Sequence, residues 1–552
     1  MARMKKTDKS KNVNLDAFIQ REDFATNDKF HYYRPYRTSA GWGTRKSRKR
    51  TINTSILQCK NKELNEEMNL QMIKGVNKTT VAQFGEGNFL RAFADEMIDV
   101  ANEAGVFDGG VAIIKPIPLG DLSKLAAQDF KYHVVLRGMR DGEAVVTHRR
   151  IDCICGAVDP YTDYEAFLDI ARGDGLRFVI SNTTEAGIAF DGADAFDDTP
   201  ALSFPGKLTQ FLYERYIHFG GAADKGLAVL PTELIEQNGT KLQGYVLQYA
   251  KQWALADAFA AWVCEACIFC NTLVDRIVSG YPADEAQELE RTLLGQRDDL
   301  MVVGEPFGLW VIAHERYAEV QRAFPLDRAG LPVVFCADET PYRIRKVRLL
   351  NGTHTAMVFM AYIMGYETVG QAMACETTRA FVKRVLYDEI APTMIAQGCL
   401  QHTTIDTMII RSCLQHTTIV TVPLDEEEVR AFADSVVERF DNPFIKHRLL
   451  SIALNSVSKW KARILPTLLD YKAAKGCFPP GICLGLAAMK VFYEGEMGET
   501  QDQADFSPFW AHDINAIPGL SEYITIIERK ITDEGILHAL TYLLSGGDPC
   551  TH

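Results

Sequence analysis

Several features are missing from this sequence. No apolar run approaches the ~18–20 residues that a helix needs to cross a bilayer, and the N-terminus has no charged stretch leading into an apolar core and a small-residue cleavage site. Neither a membrane span nor secretion is therefore expected. An excess of positive charge is also absent: the net charge of −13 argues against a nucleic-acid-binding body. There is no disulfide framework either. The 13 cysteines are scattered through apolar segments such as Val263-Cys264 and Phe335-Cys336, a pattern that suits reduced thiols in a cytoplasm. What remains is an ordinary globular composition, 47% hydrophobic and 24% charged over 552 residues, enough for a large core in two or three units.

Residues 1–75 differ from the rest. They are polar and basic, with the cluster Arg45-Lys46-Ser47-Arg48-Lys49-Arg50 and no sustained apolar period. A disordered extension is expected, with a nucleic-acid or membrane-surface arm as the sharper alternative. From Thr79 the texture becomes globular. Thr80-Val81-Ala82-Gln83-Phe84, then glycines, then Phe89, Phe93, Met97 and Ile98 at helical spacing read as strand, turn and helix. Further strand candidates are Val111–Ile114, Val134–Leu136, Arg177–Ser181 and Gly226–Pro231, with helical patterns between several of them. This alternation predicts an α/β fold, a Rossmann-like unit over 76–320 with a mainly parallel sheet covered on both faces. Past Pro341 the strand signals fade. Thr355–Met364, Ala380–Ile390, Val429–Phe440, Arg448–Lys461 and Ile482–Phe492 predict a mostly α-helical unit over 321–552. Within it Cys399–Ile405 recurs as Cys413–Ile419, a short duplication near 393–419 that reads as a surface insertion. His402 and His416 arrive together with the whole segment, so no metal site is expected there.

Four constellations carry chemistry. In Gln83-Phe84-Gly85-Glu86-Gly87-Asn88-Phe89-Leu90 a strand runs into a helix. Gly85 permits the tight turn, and Gly87 lets backbone approach a pyrophosphate at the helix N-terminus. Leu90 stands where the dinucleotide fingerprint has its third glycine, so the spacing also fits a plain βα turn. An acid ending the second strand would favour NAD over NADP, but Ile114 is followed by Lys115-Pro116, with Asp121 only further on. This motif leaves the cofactor choice open.

The second constellation is Lys346-Val347-Arg348-Leu349-Leu350-Asn351-Gly352-Thr353-His354. Reducing a ketone with hydride requires a proton for the developing alkoxide and hydrogen-bond donors where that charge grows. A lysine in a partly desolvated site suits the first task, and asparagine and histidine the second. Asn351 and His354, three apart, share a helix face. Lys346, five before Asn351, falls about 140° round an ideal helix and is expected on the segment entering it. The alternative is a solvated lysine beside an Asn-Gly turn.

The third, Leu230 to Gly239, follows a buried strand at the carboxyl edge of the sheet, where α/β enzymes place ligands. Asn238 there is either a second oxyanion donor or part of an Asn-Gly turn. In the fourth, Arg439 to Arg448, the side chains of Arg439, Lys446 and His447 suit a substrate carboxylate, or else a solvated helix end. Cys264, Cys267 and Cys270 have a metal-like spacing, but they read as buried cysteines of a helical stretch from Phe259 to Val278, with no fourth ligand evident.

Taken together, Gly85-x-Gly87-Asn88-Phe89-x-Arg91-Ala92-Phe93, Lys346-x4-Asn351-x2-His354 and Arg439-Phe440-x-Asn442-Pro443 resemble the mannitol dehydrogenase family of polyol-specific long-chain dehydrogenases. Ser181–Ile188, Glu233-Leu234-Ile235-x-x-Asn238-Gly239, Thr272–Val278 and Asn442–Asn455 agree with it. The likeness runs from about residue 80 to about 495 and omits the first 75 residues and the duplicated segment. It implies a Rossmann-like domain, a helical domain and a site between them. It further implies reversible conversion of D-tagaturonate and NADH to D-altronate and NAD⁺, a step of hexuronate breakdown, without a catalytic metal. On this resemblance Lys346 is the general acid in reduction and the base in oxidation. Asn238 and Asn351 form the oxyanion hole, His354 orients the reacting oxygen, and Asp275 lines the site. Arg439, Lys446 and His447 contact the substrate. Gly85, Gly87, Asn88, Phe89 and Asn182 hold NAD. The expected partner is a small sugar acid in the cytoplasm, with no nucleic acid or membrane. Alternatives are a sibling acting on fructuronate, a mannitol-type dehydrogenase, or a non-catalytic nucleotide-binding protein.

Overall fold

The computed structural model describes residues 78–184, 186–395, 425–495 and 501–547, with side chains omitted for 501–504. The basic extension 1–75, Glu185 and most of the duplicated segment, including His402 and His416, lie outside the described residues. In chain order the strands are β1 (Thr79–Phe84), β2 (Gly110–Ile114), β3 (Tyr132–Arg140), β4 (Glu143–Ile151), β5 (Ile154–Val158), β6 (Phe178–Ser181), β7 (Ala228–Pro231), β8 (Ile268–Phe269), β9 (Asn271–Asp275), β10 (Val278–Gly280), β11 (Val302–Gly304), β12 (Leu309–Ala313) and β13 (Val333–Cys336).

The main sheet has the order β5-β2-β1-β6-β7-β8, parallel throughout. Its strands are apolar on both faces because both faces are covered. Val81, Ile113, Ile180 and Leu230 point into one core with Phe93, Met97 and Ile98. Their neighbours Ala82, Phe84, Val179 and Val229 point into another with Phe167, Leu208, Phe211 and Val246. That alternation is the two-residue period of a strand read on two buried faces.

The structure corrects three sequence readings. The strand at Val134–Leu136 forms, but outside the parallel sheet. It belongs to β3, in a mixed four-stranded sheet of order β10-β11-β3-β4. The cause lies in Asp141 (φ 53°) and Gly142 (φ 78°), which close a two-residue hairpin between Arg140 and Glu143. Two successive positive φ values are what such a turn demands, and Asp-Gly is its usual sequence. The stretch Phe259–Val278 is not one helix. The helix Asp257–Glu265 ends early, and the chain continues through β8 into β9. Cys267 and Cys270 are buried at these strands, whereas Cys264 is exposed. The segment Arg448–Lys461 is also broken, into helices Leu449–Ala453 and Ser456–Lys459, because Asn455 adopts φ 54° between them. Asparagine accepts that left-handed conformation more readily than most residues.

After Cys336 the described chain is helical apart from loops and one isolated bridge. The helix Thr353–Ile363 is buried on nearly every side and packs against Pro480–Glu494. Their backbones meet at Gly485, where a methyl group would stand 2.3 Å from the Ala356 carbonyl oxygen. Among the described residues no helix is long and apolar enough to cross a membrane.

One buried acid beneath the main sheet makes stability pH-dependent. Asp95 accepts hydrogen bonds from Tyr132 Oη (2.8 Å) and Gln83 Nε2 (3.3 Å). Burial nevertheless pushes its carboxyl up to about 7, against those two donors. The folded state therefore binds this proton more tightly than the unfolded chain, whose carboxyl titrates near ~3.9. The stabilisation is fully present below the unfolded value and is lost as pH rises through about 7. Thermal melts should show wild type losing stability between about pH 4 and about pH 7, with Asp95→Asn flattening that loss. An unchanged slope in the variant would assign the titration elsewhere.

Candidate active site

The crossover of the main sheet lies between β1 and β6, because the chain moves outward on one side through β2 and β5 and then returns to β6. Such a switch point leaves a crevice at the carboxyl ends of the strands. Gly85 and Asn182 face each other across it. Gly85 has φ 134°, and a Cβ there would lie 3.1 Å from the Asn182 carbonyl oxygen and 3.2 Å from Leu90 Cδ1. Glycine is required on both counts. Leu90, which replaces the third glycine of the fingerprint, is fully buried under this turn. Gly87 is exposed, and no described residue stands within 4 Å of where its Cβ would be. Asn88 is exposed and accepts from Arg91 Nη2 (2.6 Å), while Phe89 stacks on Phe93. The helix Asn88–Arg91 is a single turn before the chain kinks at Phe93 and resumes as Ala94–Glu103. The Asn182 amide donates to Thr232 Oγ1 (3.0 Å), tying the ends of β6 and β7 together. Beyond β2, Lys115 is buried and paired with Asp159 at 2.8 Å. An acid thus does stand beside the end of β2, contributed by the residue after β5.

The open backbone at Gly87 and the strained, side-chain-free turn at Gly85 fit a dinucleotide laid across the crevice. Among the described residues none crowds the backbone at Gly87, and a Cβ at Gly85 would close the turn.

Lys346 sits where a tight α-helix would not put it. It does not project from an entering segment: Thr340–Arg345, Lys346–Gly352 and Thr353–Ile363 form one continuous helix whose middle part is π-helical. Hydrogen bonding from i to i+5 widens the turn, so residues five apart approach the same face. This turn brings Lys346 towards the face of Asn351 and His354. Lys346 Nζ donates to the Val274 carbonyl (2.9 Å) and lies 3.4 Å from Asp275 Oδ1. An ammonium has three donors, so one N–H remains for a ligand.

Asn351 is half-buried, and its side-chain amide makes no hydrogen bond among the described residues. His354 is buried, with its ring 4.0 Å from that of Phe440 and 5.0 Å from that of His447. Its Nε2 has no hydrogen-bond partner among the described residues. Burial, then the charges of His447, Arg439, Arg463 and Lys459, hold its pKa well below the usual histidine value, so the ring is neutral at neutral pH. Burial and the cations Lys459 and Arg439 likewise depress His447. His354, Arg439, Asn442 and His447 line one small cavity together with Ile277 and Leu350.

Arg439 is committed elsewhere than the sequence suggests. Its Nη1 and Nη2 donate to the two oxygens of Asp275 (both 3.0 Å), while Nε and Nη2 donate to Glu305 (3.0 and 2.8 Å). With both faces of the fork occupied, it is not presented to a substrate carboxylate. Burial would lower its pKa, but the two carboxylates raise it instead. Burial alone would raise Asp275, yet Arg439 and Lys346 hold it below the usual carboxylate range. Burial leaves Glu305 raised, although Arg439 and the Ile277 N–H oppose it.

Asn238 is also occupied. It opens the helix Asn238–Gln252 rather than an Asn-Gly turn. Its amide donates to the carbonyls of Pro231 (2.9 Å), Glu233 (3.1 Å) and Thr272 (3.2 Å), and its oxygen accepts from the N–H groups of Gly239 and Thr272 (2.8 Å each). That exhausts its hydrogen-bonding capacity. The residue pins β9 to the end of β7. Lys446 is exposed. The structure therefore gathers Lys346, Asp275, Arg439, His354 and His447, with Asn351 beside them, and leaves Asn238 and Lys446 outside that contact set. Sequence reading missed the Val274 carbonyl, which no side-chain pattern reveals. It also missed Glu305, whose signal was an acid set inside the apolar run from Met301 to Phe307.

A parallel nucleotide-binding fold joined to a helix bearing lysine, asparagine and histidine defines a polyol-type dehydrogenase, and the chain belongs to the mannitol dehydrogenase family. The mannitol dehydrogenase Rossmann domain matches residues 79–323, and the mannitol dehydrogenase C-terminal domain matches 338–398 and 395–517, two stretches that meet at the duplicated segment. Among its relatives is the altronate oxidoreductase of Cronobacter sakazakii, 40% identical over 496 residues, covering 84% of this chain and 96% of that protein. The altronate oxidoreductase of Bacillus subtilis is 39% identical over 493 residues, covering 85% and 96%. The fold is shared with a substrate-free D-sorbitol dehydrogenase (TM-score 0.67, 23% identity, covering 84% of this chain and 96% of that one). It is shared too with the mannitol 2-dehydrogenase of Pseudomonas fluorescens, solved as a ternary complex with NAD and D-mannitol (TM-score 0.57, 21% identity, covering 85% and 94%).

Proposed function

We propose that this protein is an NAD(H)-dependent oxidoreductase that interconverts D-tagaturonate and D-altronate in the cytoplasm. The observation that carries the chemistry is Lys346 Nζ, held by the Val274 carbonyl and Asp275 with one N–H to spare. The substrate assignment draws on the altronate oxidoreductases, which match most of this chain at about 40% identity. The assignment to the cytoplasm draws on the cysteines, none of which forms a disulfide among the described residues.

Residues 76–320 form the cofactor unit in this reading, and 321–552 bring the substrate side. Gly85, Gly87, Asn88, Phe89 and Asn182 hold the dinucleotide. When bound, NADH supplies the hydride for the substrate's keto carbon. As negative charge grows on the keto oxygen, Lys346 gives it a proton, and in oxidation Lys346 takes that proton from the hydroxyl. Asn351 has a spare amide and His354 a spare, neutral ring nitrogen, and both suit donation to the same oxygen. His447 and Lys446 remain candidates for the substrate's polar end. Arg439 acts on Asp275 rather than on substrate, and Asn238 acts by fixing β9, whose Val274 and Asp275 hold the lysine.

The test is loss of NADH absorbance with D-tagaturonate, D-fructuronate and D-fructose in parallel. Turnover of tagaturonate alone supports the assignment. Preference for either other ketose keeps the family and changes the substrate. A second expectation separates cofactor binding from folding. Gly87→Ala meets open space, so its melting temperature should match wild type, while NADH affinity falls about tenfold or more because the new methyl occupies the approach to the backbone. Unchanged affinity would move the pyrophosphate away from this turn.

A further inference from the structure

Glu305 directly follows β11 and is almost fully buried. A carboxylate in such a place is tolerated only when paired. Ile277 N–H donates to its Oε1 (2.6 Å), and Arg439 donates to both of its oxygens. Arg439 also grips both oxygens of Asp275, and Asp275 Oδ1 faces Lys346 Nζ. Glu305, Arg439, Asp275 and Lys346 thus form one line of alternating charge through four elements. Their formal charges cancel. Without Glu305 the line carries one surplus positive charge, and Arg439 rests on Asp275 alone.

Arg140 and Glu438 line the same cavity as Glu305 and Arg439 and offset one another, and Glu428, on the helix of Arg439, acts on Arg345. Nearer Lys346 the other titratable groups do not restore the balance. Arg345 and His354 lie on the helix of Lys346, His447 packs on His354, and Lys459 and Arg463 come from the turn packed against that helix. Three of these are cations, and the two histidines are held neutral by burial and nearby positive charge. Glu305 is therefore the second negative charge that lets Asp275 serve two cations at once.

We infer that Glu305 is a positioning residue for the proton donor: by holding Arg439 it keeps the Asp275 carboxylate turned towards Lys346, and its negative charge balances the positive charge of Arg439 in the line that ends at the lysine. The inference takes the role of Lys346 from the proposed function, but its test needs no turnover. Lys346 in the cofactor-free protein is acetylated with acetic anhydride at a series of pH values and followed by peptide mass mapping, since only the unprotonated amine reacts. Glu305→Gln keeps the size and one acceptor oxygen, for Ile277 N–H and Arg439 Nη2, and removes the charge; its NH2 gives up the contact with Arg439 Nε. One positive charge in surplus favours the unprotonated amine, so the labelling curve should move about one unit towards lower pH. The rising limb of the altronate oxidation rate should move with it, with the KM for altronate within about threefold of wild type. Glu305→Asp keeps the charge and shortens the reach, and its labelling curve should coincide with wild type even where its melting temperature falls. A wild-type curve for Glu305→Gln overturns the inference. A displaced curve for Glu305→Asp does so as well, and that variant decides the matter alone if Glu305→Gln does not fold. Labelling as expected without turnover of altronate would remove the substrate assignment and leave the role of Glu305 standing.

Discussion

Lys346→Ala is expected to lower kcat by about 10²–10⁴-fold, the usual worth of a positioned general acid or base. The loss should fall on the chemical step. The lysine holds none of the residues assigned to the dinucleotide, so NADH affinity, read by fluorescence titration, should stay within about threefold of wild type. The fold should survive, because Asp275 keeps its two-pronged contact with Arg439 when the lysine is gone. The space vacated borders the Val274 carbonyl and Asp275. A small amine such as methylammonium fits the same acceptors and should restore part of the rate, more at alkaline pH in the oxidation direction, where the free base is needed. A variant retaining more than about a tenth of wild-type kcat would mean that another group moves the proton.

The largest stability effect belongs to Arg439. Arg439→Met keeps much of the side-chain bulk over Phe307, whose ring centroid lies 4.3 Å from the guanidinium carbon. It leaves Asp275 and Glu305 buried near each other with only Lys346 to offset them. Breaking a buried charge network by removing one partner costs about 3–5 kcal/mol, because the remaining charges stay desolvated and unpaired. The sign of the pH dependence should reverse locally. In wild type the Asp275 pKa is depressed, so its stabilisation is present above the ordinary carboxylate range and is lost as pH falls through the depressed value. In the variant burial is no longer opposed by Arg439, both carboxyls titrate higher, and folding gains from protonation. Denaturant melts should show the full deficit near about pH 8 and a smaller one near about pH 5. Equal stability of wild type and variant at the higher pH would show that the network contributes nothing net.

These effects depend on contacts between residues distant in sequence, which marks the limit of sequence reading. The pattern from Thr79 to Phe93 was legible as strand, turn and helix because strand period, glycine placement and helix period are all local. The helices around Thr355–Met364, Val429–Phe440 and Ile482–Phe492 were legible for the same reason. The spacing of Lys346, Asn351 and His354 pointed to the right helix but, on α-helical geometry, to the wrong place for the lysine. A π-helical turn closes through one extra residue, and packing rather than local propensity selects it. The hairpin at Asp141-Gly142 was written in the sequence, yet the strand before it looked like its neighbours in the parallel sheet.

By itself, then, the chain's local chemistry determined the α/β architecture, the glycine turn and the helix that carries Lys346, Asn351 and His354. The tertiary fold alone decided how those residues are used. Arg439 and Asn238 carry the functional groups expected of substrate contacts, but two acids more than 130 positions from the arginine saturate the one, and nearby backbone together with Thr272 on β9 saturates the other. A side chain's hydrogen-bonding capacity can be read from its identity, whereas the partners that consume that capacity are known only once the chain has closed on itself.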